Sequence, residues 1–152
     1  MQTLTLIYER LVGLASGRFG EGLALLVVRV ALAGIFWRSG RTKVVEGSWL
    51  TISDTTHFLF ETDYSAVPLP PALAAPMATY AEHLFPLLLV LGLATRFSAL
   101  ALIGMTLMIQ FFVYPEAWWS VHMLWVALAG TLVCRGAGVF SLDEGLASLR
   151  KP

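Results

Sequence analysis

One cysteine in 152 residues, Cys134, excludes an internal disulfide, a CxxC redox pair and a thiolate metal cluster. Charge is also scarce, at 13% of the residues, where soluble domains carry about 25%. The ten Lys and Arg are matched by ten Asp and Glu, so no basic surface is offered to a nucleic acid. There is no P-loop and no GxGxxG after a strand, which leaves soluble nucleotide chemistry no foothold. The three histidines, His57, His83 and His122, show neither zinc-type nor copper-type spacing, so no metal is predicted. The absence of an internal repeat counts against a carrier.

What the chain has in quantity is apolar residues, 57% of the total. A membrane-crossing helix needs about 20 of them in succession, within a range of roughly 17–25. Four runs qualify: 21–39, 72–94, 97–114 and 118–134. They predict a single all-α domain over 1–152, an antiparallel four-transmembrane-helix bundle with one long outer loop at 40–71. Before the first run, Leu4, Ile7, Leu11 and Leu14 recur at helical spacing, as in a helix lying on the membrane surface. After the last, Ser141 to Glu144 fits a capping box opening a second short amphipathic helix with Leu142, Leu146 and Leu149. In the loop, Asp54 is suited to cap a helix running through Phe60. Pro68, Pro70 and Pro71 stiffen the return to the membrane. Gly34, Gly92, Gly104 and Gly130 are read as positions of close helix packing.

Basic residues near span ends favour the cytoplasm. Arg10, Arg18, Arg96, Arg135, Arg150 and Lys151 lie at one end, against Arg38, Arg41 and Lys43 at the other. Both termini are therefore expected in the cytoplasm and the loop outside, with Trp49, Tyr114, Trp118 and Trp119 as an outer aromatic belt.

Ionisable residues inside a span are functional candidates by default. Arg29 lies nine residues from Arg38, or roughly 13–14 Å from the outer boundary at 1.5 Å per residue. Glu82 lies eleven residues past Pro71, at roughly 16 Å. Their similar depth suggests either a structural ion pair fixing helix register or a proton-handling pair. Gln110 and His122 each lie four residues inside an aromatic boundary, and His122 shares a helix face with Trp118 and Trp125. His83, adjacent to Glu82, points about 100° away round the helix. It is read as bonded to a carbonyl or as a ligand contact. Because the inner half is almost purely apolar, these polar groups describe a pocket opening outward.

The chain resembles the DoxX family of small four-span membrane proteins. The resemblance rests on Arg29, Phe36, Gly40 and Lys43 at the first span, and on Glu82, Gly92, Thr95 and Arg96 at the second. It continues with Gly136, Gly138, Ser141 and Asp143 in the tail. It implies an inner-membrane accessory, such as the quinone-linked membrane subunit of an oxidoreductase like thiosulfate:quinone oxidoreductase. The loop sequence resembles members encoded beside copper-binding modified peptides, which implies copper or oxidative stress. A quinone cofactor would then meet Glu82 and Arg29 for proton handling, and His83, Gln110, His122, Trp125 and Lys43 for binding. The absence of an outer cysteine counts against thiol chemistry by this chain alone. The other reading is a non-catalytic scaffold whose loop, Asp54 to Tyr64, docks a protein partner. A homo-oligomer is a further expectation, and lipid is the surrounding medium in every case.

Overall fold

The computed structural model describes residues 2–150, so Lys151 and the side chain of Leu11 lie outside the described residues. α1 (Gln2–Ser16) precedes α2 (Arg18–Thr42), and α3 (Asp54–Glu61) sits in the loop before α4 (Pro71–Leu91). α5 (Thr95–Phe112) leads through a 3-10 turn, Pro115–Ala117, and a π turn, Trp118–His122, into α6 (Met123–Arg135). α7 (Leu142–Leu149) closes the chain. Four stretches are long and apolar enough to cross a membrane: Arg18–Thr42, Pro71–Leu91, Thr95–Phe112 and Pro115–Arg135. The protein is an all-α membrane bundle.

α1 exposes Leu4, Ile7 and Leu14, as a helix lying on lipid would. The core of the bundle is apolar, with Leu32, Leu89, Leu102 and Leu132 fully buried at its centre. α2 and α4 run antiparallel and approach closely at Gly40. A Cβ there would lie 2.9 Å from the His83 ring and 3.1 Å from the Glu82 Cβ. Gly34, Gly104 and Gly130 have nothing within 4 Å of a Cβ, which corrects their expected role. Gly92 is crowded as expected, since a Cβ there would collide with Arg29 Nη1, and Gly20, Gly22, Gly40 and Gly138 are crowded as well.

The turn from α4 to α5 is tight. Gly92 is left-handed at φ 66°, and Leu93 N reaches back to Leu88 O at 2.9 Å in a Schellman-type closure. Ala94 is also left-handed, at φ 48°, a conformation that is costly with a Cβ. Asp143 offsets that cost: its carboxylate accepts from Ala94 N at 2.8 Å and Thr95 N at 2.9 Å.

α2 continues through Arg38, Ser39, Gly40 and Arg41 to Thr42, so the loop begins three residues later than its sequence suggested. It is ordered. Val44 and Ile52 form an antiparallel bridge, and Arg41 holds the turn by donating to Ser48 O at 2.9 Å and Trp49 O at 3.1 Å. Ser53, not Asp54, caps α3, accepting from Thr56 N at 3.2 Å. Both residue types cap well, and Ser53 is the one with extended backbone. Ser141 caps α7 as expected. Glu144, instead of closing a reciprocal box, pairs with Arg18.

Candidate functional site

A cavity of about 470 Å³ lies at the loop end of the bundle, between α4 and α5. That size falls within the range of roughly 300–1,000 Å³ typical of small-molecule sites. Phe60, Tyr64, Val67 and Leu69 roof it, Met77, Ala78, Ala81 and Phe85 line it from α4, and Gly104, Met105 and Met108 face them from α5. Two polar groupings interrupt this apolar wall.

The first is a buried ion pair. Lys43 Nζ donates to Glu82 Oε2 at 2.7 Å and to Ser39 Oγ at 3.0 Å. Glu82 is 2% exposed and Lys43 7%. The lysine is delivered by the last turn of α2, where Ser39 and Lys43 sit one turn apart on one face. Its backbone carbonyl accepts from Ser53 N at 3.0 Å and Thr56 Oγ1 at 2.9 Å, so α3 fixes the lysine from the loop side.

The second is His122, which the π turn brings into the wall while leaving Trp119 exposed. Gln110 Nε2 donates to Pro115 O at 2.6 Å, which leaves Gln110 Oε1 to accept from His122 Nδ1 at 2.7 Å. That chain of bonds assigns the ring hydrogen to Nδ1, so Nε2 is the acceptor free to meet a ligand. Trp125 packs against the imidazole at 5.2 Å between ring centroids and lines the same cavity. At the roof, burial and then the Tyr114 hydroxyl push the Tyr64 phenol up, so Tyr64 keeps its O–H. The wall therefore offers an ammonium donor, a carboxylate acceptor, an imidazole acceptor and aromatic faces.

The other residues singled out by sequence lie elsewhere. Gln110 bonds His122 and is absent from the cavity wall. His83 is turned between α2 and α4, with Nδ1 on Thr79 O at 2.7 Å and its ring 5.1 Å from Trp37. It too is absent from the wall.

Arg29 is fully buried, but it does not meet Glu82. Its guanidinium donates to Leu89 O at 3.1 Å, to Val90 O at 3.3 Å and to Phe140 O. The expected equal depth fails because Arg38 and Pro71, from which the two depths are counted, are not level: Pro71 lies 11 residues of α4, or roughly 16 Å, beyond the point where Glu82 meets Gly40. The register set by Gly40 brings Glu82 level with the last turn of α2 and carries Arg29 about 11 residues, roughly 16 Å, towards the terminal end. The resemblance places Lys43 among the binding residues, and it does line the cavity, but nothing in the chain signals its pairing with Glu82. The roof residues Phe60 and Tyr64 carried only an aromatic, interfacial signal. The cavity is confined to the loop end, and its wall includes exposed Met77 and Gly104 on the lipid side as well as Leu69 and Tyr114 nearer the loop.

Fold and cavity together define a small polytopic membrane protein with a largely apolar cavity at the loop end. The DoxX family model matches residues 24–115, and the chain belongs to that family. It is 32% identical over 140 residues to an uncharacterized protein of Haemophilus influenzae, an alignment covering 82% of this chain and 83% of that protein. No solved structure matches it significantly.

Proposed function

We propose that this chain is a bacterial inner-membrane subunit, with both termini cytoplasmic, that binds a lipophilic quinone-type ring for membrane redox or copper-stress chemistry. The observation that carries the reading is the buried Lys43–Glu82 pair on the wall of an otherwise apolar cavity that also presents His122. A quinone has the matching chemistry: an apolar ring with oxygen at opposite edges, each accepting a hydrogen bond when oxidised and donating one when reduced. Lys43 and Ser39 suit the oxidised oxygen, whereas Glu82 and His122 Nε2 suit the reduced hydroxyl. Reduction consumes two electrons and two protons. In this reading Glu82 passes a proton, and the electrons come from a partner oxidoreductase subunit.

The test is extraction into nanodiscs followed by mass spectrometry of retained small molecules. The native chain is expected to hold quinone near one per protein, and Glu82→Gln and Gly104→Phe to lose most of it. A native sample without quinone, or retention unchanged in both variants, would overturn the reading.

A second reading, a scaffold docking a protein, is favoured by Trp49 and Phe58. They stand 77% and 65% exposed on a loop held in place by Arg41 and the Ser53 cap. Under that reading a partner copurifies with the native chain and is lost on Trp49→Ala, with quinone content immaterial.

A further inference from the structure

At the opposite, terminal end of the bundle lies a second cavity of about 300 Å³, polar in character and unconnected with the site above. Arg18, Arg96 and Arg135 all line it, together with the glycine loop Gly136–Val139 that the tail motif encodes. Two of the arginines are engaged. Arg135 donates to Glu21 through Nε at 2.8 Å and through Nη2, and Arg18 donates to Glu144 through Nη2. Both pairs are solvent-exposed, hence weak and exchangeable, and each guanidinium keeps further N–H groups.

Arg96 is different. Among the described residues it has no carboxylate partner, and its one hydrogen bond is a long one, 3.4 Å, to Cys134 O. The remaining acid, Asp143, spends both oxygens on Ala94 N and Thr95 N. The Arg96 head lies against the loop backbone, 3.5–3.6 Å from where a Gly136 Cβ would be. In that loop the amides of Ala137, Gly138 and Val139 donate to no acceptor among the described residues. Gly136 and Gly138 have φ of 78° and 76°, and a Gly138 Cβ would press Leu25 at 3.1 Å. The cavity's own acids, Glu21, Asp143 and Glu144, are each already engaged, by Arg135, by Ala94 N and Thr95 N, and by Arg18, which leaves Arg96 as the lining cation without a carboxylate among the described residues. An arginine beside backbone amides that have no acceptor is a setting suited to an oxyanion.

We infer that this cavity holds the phosphate of an anionic glycerophospholipid. The phosphate chemistry follows from the donors. The lipid source follows from position: the cavity sits at the ends of the spans, where headgroups lie, and Phe19, Leu23, Phe97 and Leu100 are exposed around it for acyl chains to cover.

The test uses the full chain in phosphatidylcholine nanodiscs containing a minor fraction of phosphatidylglycerol, with native mass spectrometry through stepwise delipidation. Phosphatidylglycerol is expected to be retained preferentially, and at least tenfold less in Arg96→Gln, while Arg10→Gln on α1 leaves retention unchanged. Arg96→Lys keeps the charge but loses the planar fork. It is expected to retain an intermediate amount, and it provides the readout should the glutamine variant fail to fold. Equal retention of the two lipids by the native chain, or native retention in both Arg96 variants, would sink the inference. In pure phosphatidylcholine discs, Arg96-dependent stabilisation by inorganic phosphate without retention of phosphatidylglycerol would identify a free-phosphate site and overturn the lipid assignment.

Discussion

Lys43 Nζ and Glu82 Oε2 meet at 2.7 Å with both residues buried, joining the end of α2 to the middle of α4 across 39 positions of sequence. Removing one member of such a pair leaves a charge without a counter-ion, at a cost of about 3–5 kcal/mol. Lys43→Met is therefore expected to lower the thermal midpoint sharply. Lys43→Met combined with Glu82→Leu, which removes both charges, should recover most of the loss. Thermal melts in one detergent compare the three forms, and a double variant no better than the single would contradict the pairing.

Glycine substitutions separate the crowded contact from the open ones. Gly40→Ala forces a Cβ onto the His83 ring at 2.9 Å and is expected to destabilise by about 1–3 kcal/mol, the usual cost of overpacking. Gly34→Ala meets nothing within 4 Å and should be neutral or stabilising by about 0.5–1 kcal/mol, since alanine is the better helix former. Reversal of that order in denaturation experiments would refute the α2–α4 register.

Imidazole orientation depends on Gln110. Gln110→Leu frees His122 Nδ1 and leaves Pro115 O without its donor. Ligand retention is expected to fall several-fold although Gln110 does not line the cavity. Gln110→Glu, which can still accept from Nδ1, should retain more than the leucine variant. Equal retention in the two would argue that Gln110 has no orienting role.

Asp143 ties the tail to the α4–α5 turn through Ala94 N and Thr95 N. Loss of a carboxylate cap costs about 1 kcal/mol. Asp143→Ala should leave the bundle folded but make the segment after Arg135 more susceptible to protease. Ala94→Gly removes the left-handed penalty and should partly rescue it.

The spans were legible because lipid demands long apolar runs, and the only way to satisfy their backbone is helical. The α1 face and the Ser141 cap were legible for the same local reason. Register was not. RSGRTK reads as a water boundary by composition, yet these residues complete α2, and basic side chains suit a helix C-terminus. The exchange of Glu82's partner from Arg29 to Lys43 comes from α4 beginning roughly 13 Å beyond the end of α2, an offset that composition does not reveal. The close approach at Gly40 and the Arg29 bonds to Leu89 O and Val90 O fix that register, and a glycine does not announce which neighbour it admits. His122 and Trp125 could be placed in the site from their depth and shared face. His83 could not be separated from them, because the turn towards α2 is a property of packing.

Arg29 binding three carbonyls beside Leu32, Leu89, Leu102 and Leu132 keeps the two ends of the bundle apart. The loop-end and terminal-end cavities share no lining residue. A substitution in one wall therefore leaves the other wall's residues unchanged, so the two ends of the molecule can be probed independently.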